Sequence, residues 1–358
     1  MGSSSISYDN GKPNLTRLEL LVRELSDLHN SGIEVILVSS GAIGVGVNRL
    51  GFSKRPKNIP EKQAAAAVGQ GLLMHIYEKL FSEYGVTVGQ VLLTREDFSC
   101  RTRFLNARNT LYALMGLGVI PIINENDTVA VDEIKLGDND NLAALVGGLV
   151  DTELLILLSD VNGLYSCDPR VNKDAGLIPE VCEITDEIEN LAGGAGSCLG
   201  TGGMSTKIQA AKVAINSGFV TVLANSSEKD VVRRIMAGEN IGTIFWPQEK
   251  LENKKMWIAY SSSVQGRIIV DGGAAQAILE NGKSLLPSGI IGVEGPFEVG
   301  NTVSVLDPKG KEIARGIVNY AAREIEKIKG SHSREIRKIL GHQDYDEIIH
   351  RNNLVSNV

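Results

Sequence analysis

The chain has 358 residues, 43% of them hydrophobic and 22% charged, with a formal net charge of −7, which is the composition of a globular protein of two or three domains. The net negative charge excludes a uniformly basic nucleic-acid-binding protein, and no apolar run reaches the ~18 residues that cross a membrane. Its four cysteines are scattered and form no C-x-x-C pair, which favours free thiols in a reducing cytoplasm over disulfides or a zinc site.

The start of the chain predicts a helix, a strand and a second helix. A capping box at 16–19, followed by apolar residues at helical spacing, predicts a helix that ends near Asn30. The apolar, β-branched run at 33–38 predicts a buried strand. The glycine-rich turn at 39–46 then leads into another helix, as in a β-α-β unit, whose ligands bind at the carboxyl ends of the strands.

Strands and helices continue to alternate up to about residue 245. Further helices are predicted at 60–84, 101–115, 137–150 and 230–236, strands at 86–93, 119–123, 154–158 and 219–223, and a small hairpin at 129–135. This alternation predicts an α/β fold, a three-layer sandwich whose mostly parallel central sheet is covered by helices on both faces. Polar clusters follow strands at Ser40, at 124–127 and at 159–160, so these residues are expected to share one crevice.

Beyond residue 257 the pattern changes to short strands separated by glycine turns. Strands are predicted at 266–270, 300–306 and 312–318, with one short helix at 274–280. A polar stretch at 246–255 is interpreted as a linker, which gives an α/β domain over 1–246 and a small β-rich domain over 257–335. A surface helix is expected within 321–341, and the last ~10 residues are expected to fray.

The strongest chemical signal is Gly-Thr-Gly-Gly-Met-Ser-Thr-Lys at 200–207. A glycine-rich turn that leads into a helix presents free N–H groups and a positive dipole end, which suit a phosphate, and Lys207 would add a point charge. The stretch is not a P-loop, because it has Ser-Thr-Lys where a P-loop has Gly-Lys-Ser/Thr. A flexible surface loop followed by a capped helix is the alternative interpretation.

Four aspartates lie in the predicted loops at the same edge: Asp127, Asp138, Asp140 and Asp160. Carboxylates beside phosphates commonly hold Mg²⁺, directly or through water. The histidines are few and dispersed, and no Ser-His-Asp arrangement stands out. We therefore predict phosphoryl transfer, in which a protein mainly positions groups and neutralises charge. The alternative is that Asp138 and Asp140 merely cap a helix.

Five motifs resemble those of the glutamate 5-kinases, a group within the amino acid kinase family. They are Val-Ser-Ser-Gly-Ala-Ile at 38–43, Phe-Leu-Asn-Ala-Arg at 104–108, Ile-Asn-Glu-Asn-Asp at 123–127, Gly-Asp-Asn-Asp-Asn-Leu at 137–142 and the stretch at 200–207. Residues 257–334 resemble the PUA domain that follows the kinase domain in many bacterial members. The resemblance implies the amino acid kinase fold and ATP-dependent phosphorylation of the side-chain carboxylate of L-glutamate, the first step towards proline.

The resemblance also implies roles for individual residues. Lys207 and Asp160 are the expected catalytic residues, and Ser40, Asp127 and Asn139 are expected to bind glutamate. The expected ATP ligands are Ser159, Asp160, Thr201, Gly202, Gly203, Met204, Ser205, Thr206 and Lys207. On physical grounds, Lys207 is expected to neutralise the transferred phosphoryl group, and Asp160 is expected to orient a lysine or a Mg²⁺-bound water. Asp127 suits the substrate ammonium, and Asn139 is expected to donate its amide to a carboxylate.

Partners are implied in the same way. Family members use Mg²⁺ with ATP, are often inhibited by proline and usually form dimers or tetramers through the kinase domain; no residue is assigned as a metal ligand. The acyl phosphate product is labile, which favours a partner glutamyl phosphate reductase. PUA domains elsewhere bind RNA, but acidic residues interrupt the basic residues near 254–255 and 334–338, so RNA binding is not favoured.

The resemblance is incomplete at the first residues. In the family, a strand ends in a lysine two residues before the first glycine of the turn at 2–5. Here Met1 occupies the position between that lysine and Gly2, so the printed sequence does not include the strand or its lysine. Because that lysine contacts the transferred phosphate in family members, we expect the chain as printed to be less active than a version that carries the upstream strand. Two explanations are open: the first residue of the sequence is placed too far downstream, or the chain is a truncated relative with a binding or regulatory role.

Overall fold

The computed structural model describes the following residues: Gly2, Ile6, Tyr8, 12–52, Lys54, 56–129, 139–169, Asn172, 174–191, 203–247, Ile258 and 264–356. The chain divides into two compact units, Met1–Lys250 and Leu251–Val358; the domain limits 1–246 and 257–335 stay predictions. Within the described residues, no helix is both long enough and apolar enough to cross a bilayer.

The first unit alternates helices and strands. Its helices are α1 (Leu15–Asn30), α2 (Ala42–Arg49), α3 (Ile59–Ser82), α4 (Arg95–Ser99), α5 (Arg101–Gly116), α6 (Asn139–Leu149), α7 (Asp186–Leu191), α8 (Met204–Ser217) and α9 (Val231–Met236). Its strands are β1 (Leu37–Val38), β2 (Thr87–Leu93), β3 (Val119–Glu125), β4 (Leu154–Ser159), β5 (Leu164–Tyr165), β6 (Leu177–Ile178), β7 (Glu180–Val181), β8 (Val220–Asn225) and β9 (Thr243–Phe245).

Two sheets form the middle layer of this unit. Strands β1, β3 and β2 make a parallel sheet in that order, and β4, β8, β9 and β7 make a second sheet in which the β8–β9 pair is antiparallel. One buried cluster joins side chains of both sheets with α1, α3 and α9, while α6 and α8 contact each other and the strands from outside that cluster. Helices therefore cover both faces of mostly parallel strands, and the predicted α/β sandwich is confirmed.

Two local predictions near the start are wrong. Helix α1 begins at Leu15 because Asn14 is its N-cap: the Asn14 side chain accepts a hydrogen bond from the Arg17 N–H at 3.2 Å. The capping box predicted at 16–19 is therefore not the start of the helix. The strand predicted at 33–38 is reduced to β1, since the pairs formed with β3 are Leu37–Ile122 and Val38–Ile123. All but the first residue of the predicted hairpin lie outside the described residues.

Helices α2 and α3 cross with their backbones in direct contact. A Cβ atom added to Gly46 would lie 1.8 Å from the Ala65 carbonyl oxygen, and one added to Gly69 would lie 1.7 Å from the Ala42 carbonyl oxygen. Only glycine fits at such distances. The contact fixes the first turn of α2, which follows Gly41 at a left-handed φ of 95°. It thereby positions the turn that carries Ser40.

The second unit is built on one five-stranded sheet. Its elements are β10 (Val264–Val270), α10 (Gly272–Asn281), β11 (Ile290–Glu294), β12 (Thr302–Leu306), β13 (Glu312–Ile317), α11 (Ala322–Ile328), α12 (Ile336–Leu340) and β14 (Leu354–Ser356). The strand order is β11-β10-β12-β13-β14, with β10 and β12 parallel and the other pairs antiparallel. The predicted β-rich character of this region is confirmed.

Two details of this unit differ from the sequence predictions. The single surface helix expected within 321–341 is two helices separated at Gly330, whose φ of 73° no helix interior allows. Both helices contribute isoleucines to the core, including Ile325 and Ile336, which are fully buried. The chain end also does not fray throughout, since β14 pairs with β13 and its Leu354 and Val355 are buried.

Candidate functional site

Polar residues follow the carboxyl ends of several parallel strands of the first unit. Ser39 and Ser40 follow β1, and Asn124 lies near the end of its neighbour β3. Ser159 ends β4 and pairs in register with Asn225 at the end of β8. The half-buried Ser40 and Asp127 lie in the turns after β1 and β3, as predicted. These positions match the rule that ligands of such sheets bind beyond the carboxyl ends of the strands.

A buried ion pair connects the first turns of α6 and α8. Lys207 Nζ donates to Asp140 Oδ2 at 2.8 Å, and the two side chains are 12% and 10% exposed. The neighbouring Thr206 hydroxyl donates to the Gly203 carbonyl oxygen at 2.9 Å and lies 3.5 Å from the same Asp140 oxygen. Removing one partner from such a pair leaves an uncompensated buried charge, so each residue fixes the other.

The pairing gives Lys207 a carboxylate partner that the sequence analysis did not name, Asp140. The role of Asp160, to orient a lysine or a Mg²⁺-bound water, stays a prediction. Asp140 and Lys207 are 67 positions apart in the sequence, so the sequence does not reveal their contact. From the sequence alone, Asp140 could equally be interpreted as a helix cap. The one available signal is its position directly after Asn139, on the same predicted edge as the phosphate-binding turn.

Asn139, the first residue of α6, lies in a chain of side-chain amides. Its Nδ2 donates to the Ser39 carbonyl oxygen at 3.1 Å and to Asn124 Oδ1 at 3.0 Å. Asn124 is 3% exposed and in turn donates through Nδ2 to Gln70 Oε1 at 2.7 Å. The chain runs from α3 to the end of β3 and on to α6. The sequence analysis assigned a ligand role to Asn139, placed Asn124 only in the polar cluster at 124–127, and did not indicate Gln70.

A tyrosine from α3 holds the end of β1. The Tyr77 hydroxyl and Ser39 Oγ are 2.7 Å apart, and both residues are buried. The Ser39 N–H also donates to the Ile123 carbonyl oxygen at 2.9 Å. Burial raises the pKa of Tyr77 to about 12, an effect that the hydrogen bond with Ser39 partly opposes. The hydroxyl therefore stays protonated throughout the neutral range.

The raised pKa predicts an alkaline difference between the wild type and a Tyr77→Phe variant. From pH 10 to 12 the unfolded tyrosine loses its proton while the folded one keeps it, so the wild type loses stability with rising pH. At pH 8 the variant is expected to be less stable by ~1 kcal/mol, the contribution of one hydrogen bond. Above pH 10 this difference shrinks by ~1.4 kcal/mol per pH unit and then reverses. Urea unfolding at several pH values measures it, and a pH-independent difference contradicts it.

The predicted nucleotide ligands fall on two elements. Ser159 is 4% exposed and donates through Oγ to Asp160 Oδ1 at 3.2 Å, while Asp160 itself is exposed beyond the end of β4. Gly203 is the N-cap of α8, and Met204, Ser205 and Thr206 form its first turn with no acidic residue among them. The first N–H groups of a helix lack intrahelical acceptors and attract anions. Thr201 and Gly202 lie outside the described residues.

Comparisons with known proteins identify the family of the chain. The model of the amino acid kinase family matches residues 1–225, and that of the PUA domain matches residues 266–340. A glutamate 5-kinase from Carboxydothermus hydrogenoformans is 58% identical over 99% of this chain and 95% of its own length. Another, from Moorella thermoacetica, is 57% identical over 99% of this chain and 94% of its own length. The chain therefore belongs to the amino acid kinase family and carries a C-terminal PUA domain.

Proposed function

We propose that this kinase transfers the γ-phosphoryl group of ATP to the side-chain carboxylate of L-glutamate and so forms L-glutamyl 5-phosphate, the first step of proline biosynthesis. The observation that carries the proposal is the buried pair of Lys207 and Asp140 at the first turn of α8, beside Asn139. Relatives that match the chain over nearly its whole length are named glutamate 5-kinases, which supports the same substrate.

The reaction needs positive charge more than it needs a base. A glutamate side chain, with a pKa of ~4.3, is already an ionised nucleophile at neutral pH. One of its oxygens forms the bond to the γ-phosphorus, the bond from that phosphorus to the bridging oxygen of ADP breaks, and no proton moves. Both reactants are anions, so Lys207 would neutralise the transferred group. Asp140 holds the ammonium in place before the phosphates arrive.

ATP would bind between the carboxyl end of β4 and the N-terminus of α8. The N–H groups of Gly203, Met204 and Ser205 suit phosphate oxygens, because they begin a 14-residue helix. The exposed Asp160 carboxylate fits a Mg²⁺-bound water, and Mg²⁺ would neutralise part of the phosphate charge. Phosphate oxygens of ATP would complete the coordination of the ion.

Glutamate would bind between the ends of β1 and β3 and the start of α6. Ser40 lies in a turn whose following helix α2 is fixed by the glycine contact with α3. Asp127 offers a carboxylate for the substrate ammonium. Asn139 lies next to the Lys207–Asp140 ion pair, because it directly precedes Asp140 in the chain. The amino group and the reactive end of glutamate would thereby be held by separate elements.

The chemistry also favours particular partners. An acyl phosphate hydrolyses readily, so a reductase that consumes glutamyl phosphate directly would limit its loss. The proposal further includes feedback inhibition by proline and assembly into a homodimer or homotetramer. It also includes a cytoplasmic location, where ATP is abundant.

A trapping assay tests the function directly. The full-length protein is incubated with ATP, Mg²⁺ and L-glutamate in the presence of hydroxylamine, which converts an acyl phosphate into a stable hydroxamate. We expect glutamate-dependent hydroxamate with an equal amount of ADP, and much less of both with aspartate or N-acetylglutamate. ADP release without hydroxamate, or hydroxamate at equal rates from all three acids, would refute the proposal.

A further inference from the structure

The loop at 160–163 connects β4 to β5 and contains a predicted ATP ligand. At its start, the Ser226 N–H donates to the Ser159 carbonyl oxygen at 2.8 Å. In its middle, Asn225 Nδ2 donates to Asn162 Oδ1 at 2.8 Å. Asn225 ends β8 and Ser226 follows it, so the strand beside β4 holds the first half of the loop.

The other end of the loop is held by a buried threonine at the start of β9. The Thr243 hydroxyl accepts the Leu164 N–H at 2.8 Å and donates to the Ile178 carbonyl oxygen at 2.6 Å. Gly163, the last residue of the loop, lies directly against it, because a Cβ added there would be 2.6 Å from Thr243 Oγ1. The hydroxyl therefore fixes the point at which the loop enters β5.

This hydroxyl is inserted into the ladder of the small β5–β6 sheet. Leu164 and Ile178 face each other in the antiparallel pair, and further along it the Ser166 N–H donates directly to the Gly176 carbonyl oxygen at 2.9 Å. Because such bonds recur at every second residue, the ladder would continue from the Leu164 N–H to the Ile178 carbonyl. Thr243 bridges these two groups instead, and loss of its hydroxyl would leave both without this partner.

We propose that the Thr243 hydroxyl, supported by Asn225, is a positioning group for ATP: it holds the loop at 160–163 so that Asp160 is directed at the nucleotide. Thr243 is fully buried, so it acts through the loop and not by contacting the ligand. A loop anchored on both sides has less conformational freedom to lose when ATP binds. The inference rests on the proposed function, in which Asp160 takes part in ATP binding.

The first experiment measures nucleotide affinity without turnover. The dissociation constant of ADP in the presence of Mg²⁺ is measured by isothermal titration calorimetry of the full-length protein, with no glutamate present. Thr243→Val keeps the shape of the side chain and removes the hydroxyl, so ADP should bind about 10-fold more weakly and the KM for ATP should rise similarly. Thr243→Ser keeps the hydroxyl and should stay within about threefold of the wild type, and the KM for glutamate should be unchanged in both variants.

Thr221 provides the matched control. Like Thr243 it is 0% exposed, it lies on the neighbouring strand β8, and its Oγ1 has no hydrogen-bond partner among the residues that the structure describes. Thr221→Val therefore removes a hydroxyl of equal burial but no hydrogen bond, and its ADP affinity should match that of the wild type. Equal ADP affinities of Thr243→Val and Thr221→Val would overturn the proposal.

A double-mutant cycle with Asp160→Asn asks whether Thr243 acts through this carboxylate. If the hydroxyl positions Asp160, Thr243→Val should weaken ADP binding by less than about threefold once the carboxylate is gone, because the two effects are coupled. If Thr243→Val weakens ADP binding equally with and without the carboxylate, Thr243 supports the unit as a whole, and the positioning role is wrong.

Asn225→Ala keeps the proposal testable even if Thr243→Val does not fold. The contact between Asn225 and Asn162 is exposed, so its loss should spare the fold while it frees the middle of the loop, and ADP should bind about threefold or more weakly. In that case an ADP affinity equal to that of the wild type overturns the proposal. The hydroxamate assay of the wild type decides separately whether glutamate is the phosphoryl acceptor, so the two proposals can fail independently.

Discussion

Replacing Lys207 by methionine is expected to lower kcat for glutamate phosphorylation by a factor of about 10²–10³, the usual loss when one charge-stabilising group is removed from a transition state. Methionine is similar in length but has no charge to place on the transferred phosphoryl group. The contact of Lys207 with Asp140 at 2.8 Å shows that the ammonium is held in one place before ATP binds. The hydroxamate assay measures the effect, and the KM for glutamate should change little.

Two control variants separate chemistry from folding. Lys207→Met leaves Asp140 as a buried carboxylate without its partner, which costs about 3–5 kcal/mol of stability. The double variant with Asp140→Asn should recover part of this loss but none of the activity. Lys212 lies on the same helix as Lys207, and Lys212→Met breaks only a half-exposed ion pair, in which Lys212 Nζ is 3.2 Å from Glu189 Oε1. The kcat of this variant should therefore match that of the wild type. A Lys207→Met protein within threefold of wild-type kcat would remove Lys207 from the chemistry.

A large loss of stability, without a change of charge, is expected from Gly69→Ala. The added Cβ would lie 1.7 Å from the Ala42 carbonyl oxygen and 2.6 Å from the Gly46 nitrogen. Both are backbone atoms of α2, whereas Gly69 lies in the middle of α3, so the clash is relieved only if α2 and α3 separate. We expect a loss of about 3 kcal/mol or more in the free energy of unfolding. Because α2 begins directly after the turn that carries Ser40, a surviving folded fraction should also show a raised KM for glutamate.

Gly71 of the same helix provides the matched control. A Cβ added there meets no atom within 4 Å, so Gly71→Ala should stabilise the protein by about 0.5–1 kcal/mol through the better helix propensity of alanine. Chemical unfolding of the two variants measures the contrast. Equal stability of Gly69→Ala and Gly71→Ala would show that α2 and α3 do not touch as described.

The sequence predicted most of the fold from periodicity and the site from motifs. Helical spacing and β-branched runs placed α3, α5, β2 and β3 within one or two residues of their observed limits, because such patterns reflect burial on one face. The short strand β1 was overestimated, since strand length depends on the neighbouring strand as well as on the residues themselves. The cap of α1 was misplaced because Asn14 and Thr16 are both good N-cap residues, and only the backbone geometry decides between them.

By itself, the sequence indicated the fold class, the kinase family and a glycine-rich turn before Lys207 as a candidate phosphate site, because glycines, hydroxyls and a lysine at fixed spacing act locally. The tertiary structure alone decided which groups meet across long separations. It paired Lys207 with Asp140, 67 residues away, and Asn139 with Ser39, 100 residues away. It also directed the side-chain nitrogen of Asn139 towards two acceptors. Hydrogen-bond polarity depends on every neighbour within about 3 Å, and no spacing along the chain records those neighbours.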